Sequence, residues 1–118
     1  MTRAHILIVD DDESLNRSLT SILDAEGYRI TGHFSADGLT EFLDETVVDL
    51  MILDVGLPGV DGLSALESLK RHPRHRDLPI LVLSGSPPGE VSVEALGLGA
   101  ADFVTKPFRL DEIGRAHV

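Results

Sequence analysis

Short apolar runs alternate with amphipathic stretches from one end of this chain to the other. Five runs are rich in Ile, Val and Leu and too brief for helices: His5 to Val9, Tyr28 to Phe34, Leu50 to Leu53, Ile80 to Leu83 and Ala101 to Thr105. Runs of this kind predict strands covered on both faces, which is how a parallel sheet reads. Between them the apolar positions recur at helical spacing. Glu13 to Glu26 places Leu15, Leu19, Ile22 and Leu23 on one face, Ala36 to Glu45 follows Ser35 as a cap, and Gly62 to Arg71 follows Asp61 as a cap. A weaker fourth helix is expected from Gly89 to Leu98 and a short fifth from Leu110 to His117. Five βα units in succession imply an α/β fold with a doubly wound, open five-stranded parallel sheet and helices on both faces.

Pro and Gly are scattered through individual turns, with no repeat or linker-like tract, so the 118 residues read as one domain over 1–118. The fifth helix is short for covering a sheet edge, at about 12 Å of rise. That shortness reads as the N-terminal part of a longer protein cut at its C-terminus.

Composition narrows the function. The core must come from aliphatic side chains, because aromatics make up only 4% of the chain, and no apolar run approaches a membrane span. A formal charge of -10 repels nucleic acid phosphates and suits a cation or a basic partner. The N-terminus lacks the apolar core and cleavage site of a signal peptide, so cytoplasmic residence is the expectation. The absence of cysteine removes disulfides, thiol catalysis and Cys-based zinc sites.

In a doubly wound sheet, ligands bind beyond the carboxyl ends of the strands. The first strand ends in Asp10-Asp11-Asp12, the third in Asp54, the fourth in Ser84 and the fifth in Thr105-Lys106-Pro107. An isolated acidic triplet is ordinarily a solvated turn that caps the next helix, and Asp12 reads as that cap. The other acids would meet at one sheet edge. Crowded carboxylates cost folding energy unless a hard divalent cation neutralises them, and Mg2+ takes such oxygens. A carboxylate beside Mg2+ and a lysine can attack phosphorus, with Lys106 and the metal offsetting charge and the Ser84 hydroxyl donating to a phosphoryl oxygen.

Four segments then carry a family resemblance: Ile6 to Asp11, Asp54 to Gly62, Pro79 to Gly85 and Gly99 to Phe108. In that order and at that spacing, the whole chain resembles the response-regulator receiver (CheY-like) domains of two-component systems. The resemblance implies a flavodoxin-like sheet of order 2-1-3-4-5 and Asp54 as the phosphoacceptor. It implies Mg2+, with Mn2+ as a substitute, on Asp10, Asp11, Asp54 and the Gly56 backbone carbonyl. It gives Ser84 and Phe103 a switching role, Lys106 a phosphoryl-binding role, and a cis peptide between Lys106 and Pro107. The implied partner is a sensor histidine kinase or a histidine phosphotransfer protein, with a phosphorylation-dependent homodimer and neither nucleic acid nor membrane bound by this domain. Such a domain phosphorylates and dephosphorylates itself without being a turnover enzyme.

Gly56 departs from the larger side chains usual two residues after the acceptor, which predicts an acyl phosphate open to water. Phe103 reads equally as a core aromatic. The alternative function is a phosphorylation-independent pseudo-receiver acting as an interaction module, which the joint presence of Asp11, Asp54, Ser84 and Lys106 disfavours. An aspartate-nucleophile phosphatase would place a second acid at position 56, and a flavin module would not put three acids after its first strand. The basic stretch Lys70 to Arg76 reads as a solvated loop, because Pro73 breaks helical spacing between His72 and His75. His5, His33 and His117 receive no role.

Overall fold

The computed structural model describes residues 3–55, 62–84 and 96–105. Its elements are β1 (His5–Val9), α1 (Glu13–Ala25), β2 (Arg29–His33), α2 (Leu39–Glu45), β3 (Leu50–Asp54), α3 (Gly62–Arg71), β4 (Ile80–Ser84) and β5 (Asp102–Thr105). The strands form one sheet of order β2-β1-β3-β4-β5, and every neighbouring pair is parallel. This is the expected doubly wound arrangement.

Five consecutive positions are buried in β1 and five in β3, because helices cover both faces of the sheet centre. Alternate side chains point to opposite faces, and two separate apolar clusters result. One holds Leu7, Val9, Met51, Leu53 and Val82 with Leu39 and Leu43 of α2 and Leu66 and Leu69 of α3. The other holds Ile6, Ile8, Leu50, Ile52, Leu81 and Leu83 with Leu19 and Leu23 of α1. Each fully buried aliphatic side chain contributes about 1.5–3 kcal/mol. The apolar strands thus hold the rigid frame on which the strand-end acids sit.

Two expectations need correction. The second strand, expected to be buried on both faces over Tyr28 to Phe34, is a partly exposed edge strand limited to Arg29–His33. The second helix begins at Leu39, not at Ala36 with Ser35 as its cap. The Ser35 hydroxyl instead accepts a hydrogen bond from the Asp37 N–H at 3.3 Å, which closes a local turn. Gly38 then enters the helix at φ +71°, a conformation glycine adopts without steric cost.

The other boundaries lie within a residue or so of expectation. The first helix ends at Ala25 with Glu26 as its C-cap, while β3 and β4 extend to Asp54 and Ser84 and β5 begins at Asp102. Asp12 caps α1 as expected, accepting the Leu15 N–H at 3.1 Å. The proposed Asp61 cap, most of the fourth helix and the whole fifth helix lie outside the described residues. Among the described residues, no helix is long and apolar enough to cross a membrane.

Candidate functional site

Parallel register brings the strand-end acids together. Ile8 pairs with Ile52 and Val9 with Leu53, so the next step sets Asp10 beside Asp54. The Asp10 N–H continues the ladder by donating to the His33 carbonyl at 3.1 Å, which holds the end of β1 between β2 and β3. Asp10 is fully buried and Asp54 is 5% exposed, while Asp11 lies on the surface above them. Carboxylate oxygens of Asp10, Asp11 and Asp54 all lie within 4.8 Å of one another. An all-oxygen, triply acidic donor set of this span fits a hard divalent cation and does not suit a soft metal.

The acids are not interchangeable. Asp10 Oδ1 accepts the Asp12 N–H at 3.0 Å, while Asp12 turns its own carboxylate to the start of α1. The run is therefore divided into a buried acid, an exposed acid and the helix cap expected at Asp12.

Two further residues hold this edge. Asn16 is 2% exposed, and its Nδ2 donates to the Asp10 carbonyl at 3.1 Å and to the His33 carbonyl at 2.9 Å. It cross-links α1 to the ends of β1 and β2. An asparagine carries no motif of its own, and the one signal for it in the sequence is its place three and seven residues before Leu19 and Leu23, on the buried face of α1. Gly62 starts α3 directly over the end of β3: a Cβ there would lie 2.7 Å from the Asp54 carbonyl oxygen and closer still to the Val55 Cα. A side chain at position 62 would push the helix off the strand that carries Asp54.

The remaining expected residues are placed only in part. Register sets Asp54 level with Leu83 and Ser84 level with Thr105, so the backbone of Ser84 ends β4 on the same edge. The backbone of Phe103 lies inside β5, opposite Val82. Gly56, Lys106 and Pro107 lie outside the described residues.

At the opposite edge the structure departs from the sequence reading. The segment after α3 is not wholly solvated: His75 is 7% exposed, and its Nε2 donates to Asp44 Oδ1 at 2.8 Å. The His72 ring stacks on His75 with centroids 4.4 Å apart. Arg74 also reaches Asp44 Oδ1, at 3.3 Å. The hydrogen bond from His75 and the nearby cations hold the Asp44 carboxyl below its ordinary pKa. Asp44, Arg74 and His75 line a cleft of about 540 Å3 between the end of α2 and the starts of β3 and β4.

His5 and His33 also acquire partners. The His5 ring lies 3.0 Å from the Val47 carbonyl through Nδ1 and 2.8 Å from Thr31 Oγ1 through Nε2. His33 packs edge-on against Phe42 at 4.7 Å, and burial pushes its pKa below the usual imidazole value.

Comparison with known proteins agrees with this geometry. Residues 6–117 match the family described as the response regulator receiver domain. The transcriptional regulatory protein FixJ of Bradyrhizobium diazoefficiens is 34% identical over 112 residues, covering 95% of this chain and 54% of that protein. The phosphate regulon transcriptional regulatory protein PhoB of Rhizobium meliloti is 36% identical over 108 residues, covering 92% of this chain and 48% of that protein. The chain spans about half the length of these curated relatives. Among solved structures, the receiver domain of NtrX from Brucella abortus superposes with a TM-score of 0.85 at 34% identity, covering 94% of this chain and 96% of that one. A response regulator receiver protein from Pseudomonas putida gives 0.90 at 27% identity, covering 98% and 96%. Sheet order, the acidic edge and these relatives agree: the chain belongs to the response regulator receiver family of two-component signalling.

Proposed function

We propose that Asp54 is the phosphoacceptor of this receiver, and that Asp10, Asp11, Asp54 and the Gly56 carbonyl hold Mg2+ during transfer. The observation that carries the proposal is the convergence of three carboxylates within 4.8 Å at the carboxyl edge of the sheet. Such an arrangement gives a divalent cation its ligands and gives phosphorus a positioned nucleophile. When bound, Mg2+ supplies positive charge that offsets both the carboxylates and the incoming phosphoryl oxygens.

The chain supplies the nucleophile and its alignment. A carboxylate oxygen of Asp54 bonds to phosphorus as the phosphorus–nitrogen bond of a phosphohistidine breaks. The departing imidazole keeps that electron pair, leaving an acyl phosphate on Asp54. Burial of Asp54 within the end of β3 fixes the angle of approach, and the Asn16 and Gly62 contacts keep the strand ends from shifting. In this reading Lys106 pairs with the phosphoryl group, Ser84 donates a hydroxyl hydrogen bond to it, and Phe103 follows that movement. The donor is a sensor histidine kinase or a histidine phosphotransfer protein. The small Gly56 leaves the product open to hydrolysis.

Incubation with acetyl phosphate and Mg2+, followed by intact mass measurement, tests the proposal. Wild type gains one phosphoryl group, whereas Asp54→Asn and a sample stripped of divalent cation do not. Equal labelling of Asp54→Asn would assign the acceptor elsewhere, and an unlabelled wild type would favour a phosphorylation-independent interaction module.

A further inference from the structure

We propose that Asp44, His72 and His75 form a binding site for a borderline divalent transition metal such as Zn2+, at the corner of the fold diagonally opposite the three aspartates. Each of the three residues offers a ligand atom, and those atoms lie within 4.8 Å of one another. Tetrahedral zinc binds imidazole nitrogen at about 2.0–2.1 Å and carboxylate oxygen at about 2.0–2.2 Å, which sets its donors about 3.3 Å apart. His75 and Asp44 are already closer than that, at 2.8 Å. The stacked His72 ring has to tilt out of the stack, because the in-plane lone pairs of near-parallel rings do not converge on one point. Two imidazoles and one carboxylate make a nitrogen-rich donor set that favours Zn2+, Co2+ or Ni2+ over Mg2+.

The frame is built before any metal arrives. His75 is held in a buried position by the turn that follows α3, where its N–H donates to the His72 carbonyl at 3.1 Å. Asp44 comes from the last turn of α2, so the site would join two elements 31 residues apart in sequence. The adjoining cleft leaves room for a water or an outside ligand at the fourth position, as an open zinc site requires.

Charge and competing contacts decide whether a cation is tolerated. The local sequence is basic, but two of its cations are turned to other partners: Lys70 donates to the carbonyls of Arg76 and Leu78, and Arg71 pairs with Glu67 at 2.6 Å. The cleft itself is lined by four carboxylates, on Asp44, Glu45, Asp49 and Asp77, against one guanidinium, on Arg74. Binding would displace Arg74 from Asp44, the proton that His75 Nε2 donates to Asp44 would leave to solvent as the metal takes its place, and coordination through His72 Nδ1 would cost the Arg74 N–H accepted there at 3.1 Å. Exposed ion pairs of the Arg74 kind contribute little.

Untagged protein, kept in saturating Mg2+ so that the aspartate edge is occupied, should be titrated with Zn2+ by calorimetry and with Co2+ by visible absorption. One Zn2+ per chain is expected, with a rise in melting temperature of about 4 °C or more. Cobalt should give the intense bands of four-coordinate geometry. His72→Gln and Asp44→Asn alter partly or largely exposed groups, so they should fold, and each should weaken binding at least about tenfold. Asp54→Ala should bind Zn2+ as wild type does. No binding, undiminished binding in both His72→Gln and Asp44→Asn, or loss of binding in Asp54→Ala would each overturn the proposal.

Discussion

The carboxyl edge of the sheet and its amino edge both collect aspartates, but in opposite company. At the carboxyl edge Asp10, Asp11 and Asp54 face one another across β1 and β3. At the amino edge Asp44 faces His75 and Arg74, cations or potential cations supplied by the same chain. The first arrangement concentrates like charge with no cation of the chain beside it among the described residues of the ladder; in the second an imidazole and a guanidinium already face the carboxylate, so a metal there has to compete with Arg74. A carboxylate at a strand or helix end is therefore not a functional signal by itself. What matters is whether the fold brings it to its own kind or to its opposite.

The largest effect is expected where backbone geometry supports the acidic edge. Gly62→Ala forces a methyl group against the backbone of Asp54 and Val55, and should cost about 3 kcal/mol in urea unfolding. An unchanged midpoint would show that the start of α3 does not pin that edge. Next, Mg2+ at a hundredfold excess over its dissociation constant should stabilise the wild type by about 2.7 kcal/mol, read from thermal unfolding. Asp11→Asn, a surface change, should lose most of that gain, whereas Asp44→Asn should keep it.

Asn16→Ala comes third. It removes the amide that bonds the buried Asp10 carbonyl and shares the His33 carbonyl with the Asp10 N–H, so about 1–3 kcal/mol should be lost, with weaker Mg2+ binding because α1 no longer clamps the end of β1. Full Mg2+ affinity in a destabilised Asn16→Ala protein would limit Asn16 to a packing role.

The smallest effect belongs to the amino edge. The Asp44 carboxyl is held below its ordinary pKa, chiefly by the His75 hydrogen bond. A depressed carboxylate pKa stabilises the fold above the unfolded value of about 3.9 and loses that contribution as pH falls through the folded value. Asp44→Asn should therefore lower the melting temperature slightly at neutral pH, and the difference should vanish on acidification below that range. A difference that persists in acid would point to packing and not to charge.

How legible each part was in the sequence follows from the range of its interactions. The runs of β1, β3 and β4 could be read because burial on both faces leaves an unbroken apolar signature. The edge strand β2 is shorter than its apolar run because Tyr28 and Phe34 are apolar without being in the ladder. The start of α2 is ambiguous in sequence because a serine hydroxyl that can cap a helix can equally close a local turn, as Ser35 does with Asp37. Asp10, Asp11 and Asp54 were legible because parallel strands must end on a shared edge. The Asp44–His75 contact was not, since it depends on how α2 packs beside the turn after α3. His5 was opaque for a similar reason: its partners, Thr31 and Val47, come from the edge strand and from the turn before β3.

The alternation of the strands has a consequence for how such a domain can vary. Asp10 and Asp54 carry even numbers, the parity of Ile6, Ile8, Leu50 and Ile52, whose side chains meet α1. The odd positions Leu7, Val9, Met51 and Leu53 meet α2 and α3. The sheet is thus a party wall with a separate tenant on each side. Odd-numbered strand residues can be exchanged to reshape the α2–α3 side with little change in the seating of the carboxylates, whereas a methyl group added or removed at Ile8 or Ile52 adjoins the acids directly. Two histories of substitution can therefore be written into one sheet, interleaved residue by residue and largely indifferent to each other.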